Sequence, residues 1–213
     1  MSARVLTIEA KLRQDPISVV SLDDFQYHEH DAIEAHVVLE QPTLSLYCLD
    51  HANHRAIFVE TPPDVDLSTA PFYYQTQYQA ARRLIAVSYD TLHALAQEVQ
   101  LDPRHIIVIY SVGRCGSTLV SQALNQADGV VSFSEPDVYT HILMLREADG
   151  SNDPEVSALL RSCTKIICAP TAQRRSASAW ALKHRGVAIQ LADLFYHNFP
   201  EAKVVFLYRQ AEP

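Results

Sequence analysis

The stretch Ile106–Tyr110, IIVIY, is apolar throughout, and it is followed at once by Ser111–Thr118, SVGRCGST. A strand that is continuously apolar rather than alternating is covered on both faces, as in a parallel sheet. A glycine-containing turn then runs into a predicted helix over Thr118–Gln126. A strand, turn and helix in that order aim unpaired backbone N–H groups, with the positive helix end behind them, at one point where an anion fits. Gly113 and Gly116 permit tight turning and close approach, Ser117 and Thr118 offer hydroxyl donors, and Arg114 adds a bidentate cation suited to phosphate or sulfate. Two glycines alone also suit an ordinary strand–helix turn. The Arg and the two hydroxyls are what point to a ligand. Cys115, inside the loop, reads as a small space-filling residue.

The rest of residues 102–213 alternates in the same grammar. Strands are expected at Val130–Phe133, Ile166–Cys168, Ala179–Leu182 (ending at Lys183) and Lys203–Tyr208, and helices at Pro136–Glu147, Pro154–Thr164 and Val187–Phe199. This order predicts an α/β fold, a three-layer, doubly wound parallel sheet. The last strand reads as a central one, so the domain is expected to continue past Pro213.

Residues 1–101 read as a separate, mainly β extension. Short apolar runs at His36–Leu39, Leu44–Leu49 and Arg55–Val59 look like strands of a small antiparallel unit. Tyr78–Val99 carries apolar residues at helical spacing and predicts one or two helices, interrupted near Val87–Tyr89. The tyrosine-rich segment from Phe72 to Tyr78 reads as packing, although such aromatics also stack on an adenine or a phenolic acceptor.

Charge and composition narrow the function classes. With 48% hydrophobic and 20% charged residues the chain is expected to fold. Lys and Arg number 17 against 25 Asp and Glu, a net charge of -8, so a broad nucleic-acid surface is not expected and any anion site is local. The N-terminus lacks the apolar core of a signal peptide and no run suits a membrane span, so the expected location is the cytoplasm without membrane contact. The four cysteines form no CxxC pair and the histidines no ligand quartet, so no metal site is expected.

The loop is not the nucleoside-triphosphatase type, because GxxxxGK[ST] needs a Lys before the final Ser or Thr, and Gly116 is followed directly by Ser117. The strand Val204–Tyr208 ends in Arg209 rather than in an Asp suited to magnesium. Tyr110–Leu119 resembles the 5′-phosphosulfate loop, roughly [KR]-[ST]-G-[ST]-[ST], of sulfotransferases that use 3′-phosphoadenosine 5′-phosphosulfate (PAPS). It departs from that pattern at Cys115. Phe199–Pro200 with Lys203–Arg209 resembles the family strand FP-x-AK followed by Arg, and the resemblance gives Arg209 the 3′-phosphate. The similarity spans about residues 106–213 and implies PAPS bound by Gly113, Arg114, Cys115, Gly116, Ser117, Thr118 and Arg209, with no metal.

Sulfuryl transfer needs a base and cations on the leaving phosphate. Glu135 is the candidate base; it ends the Val130–Phe133 strand and follows Arg114 by 21 residues, as in tyrosylprotein-type sulfotransferases. The rival reading is a cap on the next helix, which begins near Pro136. Arg114 and Lys183 are candidates for the leaving group, Lys183 with a solvated surface role as its rival reading; Arg174 and Arg175 read as a helix-face pair. The resulting expectation is metal-free, in-line transfer to a hydroxyl or amine of a small-molecule or carbohydrate acceptor. A small-metabolite kinase with a degenerate loop and a non-catalytic anion-binding module stay open beside it.

Overall fold

A computed structural model describes residues 1–169 and 177–210. Arg174 and Arg175 therefore lie outside the described residues. The chain is α/β, with one antiparallel and one parallel sheet.

The antiparallel sheet has five strands, β1 (Ser2–Lys11), β2 (Phe25–Glu34), β3 (Leu44–Asp50), β4 (Arg55–Glu60) and β5 (Arg83–Ser88), in the order β2-β1-β5-β4-β3. Two expectations fail here. The run His36–Leu39 is not a strand but falls in the short helix α1 (Val37–Glu40). The segment Tyr78–Val99 contains the middle strand of the sheet, β5, between helices α2 (Tyr73–Ala80) and α3 (Tyr89–Glu98). The reason is burial on both faces. Ala56, Phe58, Ile85 and Val87 enter one apolar cluster, while Ile57, Val59, Leu84 and Ala86 enter another on the opposite face. A strand covered on both sides loses its alternation, and Leu84-Ile85-Ala86-Val87 then looks like part of a buried helix.

The parallel sheet contains β6 (Ile106–Ser111), β7 (Val130–Ser134), β8 (Ala179–Lys183) and β9 (Lys203–Leu207), in the order β7-β8-β6-β9. The chain leaves β6 through α4 (Ser117–Leu124) and reaches β7 two places away. It returns to β8 by way of α5 (Val138–Leu145) and α6 (Asp153–Ile167), and then crosses β6 to β9 through α7 (Ala192–Asn198). Ile166 and Ile167 close α6 instead of forming the expected strand, because they continue the buried helical stripe of Leu159, Leu160 and Cys163. The strand expected to be central, β9, is the outer strand of this sheet, and Val204, Phe206 and Tyr208 are exposed.

One apolar cluster joins the two sheets. It runs from Leu46, Phe58 and Ile85 through Tyr73, Leu92 and Leu95 to Ile106, Val108, Phe133, Leu160 and Trp180. Among the described residues no helix is long and apolar enough to cross a membrane.

Candidate functional site

Because β6 to β9 are parallel, their C-terminal ends open on one side, where α/β sheets place ligands. A cleft of about 580 Å³ lies there, lined by Ser111, Gly113, Arg114, Gly116, Ser117, Thr118, Glu135, Lys183 and Arg209 among others. Of the residues assigned to catalysis or PAPS binding from the sequence, all but Cys115 line this cleft. That residue is half-buried, carries a free thiol and does not line the cleft.

The loop between β6 and α4 is shaped by two left-handed residues, Arg114 (φ 59) and Gly116 (φ 89). Gly116 precedes the first residue of α4, so the first-turn amides of Ser117 and Thr118 stand without partners inside the helix. Ser111 Oγ donates to Ser117 Oγ at 3.0 Å, which latches the end of the strand to the start of the helix. Gly186 backs the loop: a Cβ there would stand 3.1 Å from the Ser111 carbonyl oxygen, a tight contact that would require the backbone at Ser111 to give by a few tenths of an ångström.

Glu135 follows β7 with φ 62, a conformation that costs a residue with a side chain about 1–3 kcal/mol. Among the described residues, Arg114, Glu135 and His54 are the non-glycines with positive φ, and two of the three line the cleft. The tension at Glu135 is held by the neighbouring strand. Its N–H donates to the Lys183 carbonyl at 2.6 Å, and the buried Lys183 ammonium pairs with its carboxylate. Glu135 is therefore not a helix cap here, and Lys183 is not a surface charge. Arg114 and Arg209 are exposed in the cleft and, among the described residues, in no ion pair.

A second rung runs beside the first, two residues further along each loop. Arg185 Nε lies 2.7 Å from Asp137 Oδ1, Arg185 Nη2 donates to Asp137 Oδ2 at 2.9 Å, and the guanidinium stacks on the Tyr74 ring at 4.1 Å. Asp137 also accepts from the Val20 N–H and from the Thr140 hydroxyl, each at 2.9 Å. Burial pushes the Asp137 carboxyl above the usual carboxylate range, against the opposing pull of Arg185. Arg185 Nη1 donates to the Ile17 carbonyl at 2.9 Å, which straps the N-terminal segment to this side of the site. Between the two rungs His184 is fully buried among Tyr110, Tyr139 and Phe195, and burial, helped by the Lys183 charge, lowers its pKa to about 3.

Gly186 and the Asp137–Arg185 pair are site features that the sequence does not announce, and Phe72 is the one residue of its aromatic segment that lines the cleft. Asp137 stands in a helix start, and only the shared spacing of Glu135/Asp137 and Lys183/Arg185 hints at paired rungs. Away from the cleft, His28 and His30 face each other with ring centroids 5.0 Å apart, His51 and His141 lie 6.1 Å apart, and His36 contacts Glu98. No family model, curated protein or solved structure matches this chain.

Proposed function

We propose that the protein is a sulfotransferase that moves the sulfuryl group of PAPS to a hydroxyl or amine acceptor, and that its parallel sheet belongs to a three-layer, doubly wound nucleotide-binding fold. The observation that carries this reading is the convergence of Arg114, the Gly113–Thr118 loop, Glu135, Lys183 and Arg209, from four strand ends, on one cleft. The site is suited to the donor in charge: two exposed arginines, Arg114 and Arg209, share the cleft with a glycine-lined anion cradle, a carboxylate and an ammonium. Four free cysteines are compatible with work in the cytoplasm.

When bound, PAPS supplies a sulfuryl group joined to phosphate through an anhydride oxygen. The loop amides and Arg114 hold the 5′-phosphosulfate end, and Arg209 holds the 3′-phosphate. Glu135 takes the proton of the acceptor hydroxyl as that oxygen bonds to sulfur. The bond from sulfur to the bridging phosphate oxygen breaks, and Lys183 and Arg114 stabilise the charge left on the phosphate. For both groups to act, Lys183 must turn from Glu135 to the phosphate. Donor binding then frees the carboxylate as a base, so the acceptor reacts only in the loaded site.

Calorimetric titration with adenosine 3′,5′-bisphosphate tests the reading. Binding by the full chain, lost on Arg114→Ala plus Arg209→Ala, is the expected result. No binding by the unmodified chain, or binding retained by the double variant, refutes it; magnesium-dependent ATP turnover would mark a kinase instead.

A further inference from the structure

Four strand ends set out the cleft in a row: Glu135 after β7, Lys183 at the end of β8, the anion loop after β6 and Arg209 beyond β9. A ligand held by the loop and Arg209 occupies the β6–β9 half and leaves the β7 end for the second reactant. Phe72, from the N-terminal part of the chain, lines the same cleft and is 37% exposed.

Its position is rigid although its ring is not in the core. Ser134, the residue before Glu135, donates its hydroxyl to the Pro71 carbonyl at 2.7 Å, so the backbone entering Phe72 is tied to the backbone entering the base. The next residue, Tyr73, is buried and meets Phe133 edge-on with centroids 5.2 Å apart; Tyr74 is buried as well. Those two rings fill the interior. The Phe72 ring meets Tyr74 only at 6.3 Å and a tilt of 57°, which leaves a face of Phe72 open. Apart from Val112, every other residue lining the cleft is charged, hydroxylated or glycine. An aromatic face anchored in the same cleft as a base is suited to hold a flat apolar surface and set its direction.

We propose that Phe72 is the specificity-determining platform for the acceptor: its ring stacks on the apolar face of an alcohol carried on a ring, a phenol or a sugar, and turns that hydroxyl toward Glu135. The proposal rests on the phosphosulfate reading for the identity of the other reactant.

The full chain saturated with adenosine 3′,5′-bisphosphate is titrated with 2-naphthol and, separately, with methyl β-galactopyranoside. One of the two binds, and its Kd rises about tenfold in Phe72→Ala but stays within about threefold of the original in Phe72→Tyr, as loss and recovery of one stacked ring require. The bisphosphate Kd changes less than about twofold in both variants. Naphthol binding assigns a phenolic acceptor and galactoside binding a sugar. The proposal falls if neither probe binds, if Phe72→Ala leaves the probe Kd unchanged, or if the bisphosphate Kd rises with it, since the ring would then hold the nucleotide base. Failure of the unmodified chain to bind bisphosphate sinks the phosphosulfate reading instead, and titration of the free chain with the two probes still decides the role of Phe72.

Discussion

Gly113→Ala distinguishes a loop that holds a ligand from a loop that only turns. The added methyl group meets no protein atom within 4 Å, and Gly113 is not among the glycines with positive φ. Alanine therefore fits the free protein. By restricting the unfolded chain it stabilises the fold by about 0.4–1 kcal/mol, a rise in Tm of about 1–4 °C at this size. The ligated protein behaves in the opposite way. An anion held by loop amides sits about 2.9 Å from each nitrogen, which leaves no room for a methyl carbon on the same surface. Each amide bond to a charged oxygen contributes about 1.5–3 kcal/mol, so loss of one weakens bisphosphate binding about 10- to 150-fold. Gly116→Ala is the control: at φ 89 a side chain costs about 1–2 kcal/mol whether or not a ligand binds, and Tm falls by about 2–8 °C. Scanning calorimetry and bisphosphate titration of the two variants give the answer. Unchanged affinity in Gly113→Ala, or a Tm that falls as far as in Gly116→Ala, refutes the reasoning.

Glu135→Gln keeps the bisphosphate Kd within about twofold but lowers turnover by about 10²- to 10⁴-fold, measured as sulfated product in single-turnover assays. Arg185→Ala leaves the buried Asp137 carboxylate without its cation and destabilises the fold by about 3–5 kcal/mol at pH 7 in urea titrations. The deficit shrinks as pH falls, because burial raises the pKa of Asp137 and loss of Arg185 raises it further, so this carboxylate protonates before an ordinary one does. His184→Phe changes the acid sensitivity. A histidine held neutral down to about pH 3 in the folded state, but charging near 6.5 when unfolded, makes stability fall as pH drops from about 6.5 toward 3. The native chain therefore loses about 1.4 kcal/mol per pH unit more than the variant between pH 6 and 4. Parallel pH profiles of the two would remove His184 from the account.

The parallel half of the fold was more legible than the antiparallel half. Ile106–Tyr110 and Lys203–Leu207 declare themselves because runs this apolar suit few other structures, and the loop after β6 carries its chemistry in consecutive residues. The N-terminal sheet hides its strands in two ways. Its edge strand β2, FQYHEHDAIE, is mostly exposed and so polar that it lacks a strand pattern, while its middle strand β5 is covered on both faces and mimics a helix. In the site, Glu135 and Lys183 could be named singly from their places at strand ends. Their pairing, and the rung from Asp137 to Arg185 beside it, depends on β7 and β8 lying next to each other, which residues 48 apart do not announce.

The apolar cluster shared by the two sheets governs how the chain can be made. β1 is synthesised some eighty residues before one of its partners, β5, with Ala3 opposite Val87. Even when the five antiparallel strands have paired, Leu46, Phe58 and Ile85 wait for Ile106, Val108 and Phe133 to cover them. Residues 1–101 thus leave the ribosome before part of that cluster exists, and the apolar surface that α3 does not cover stays exposed to aggregation until the parallel sheet docks. Because one cluster spans both sheets, loosening either half removes cover from the other and from the strand ends that form the cleft.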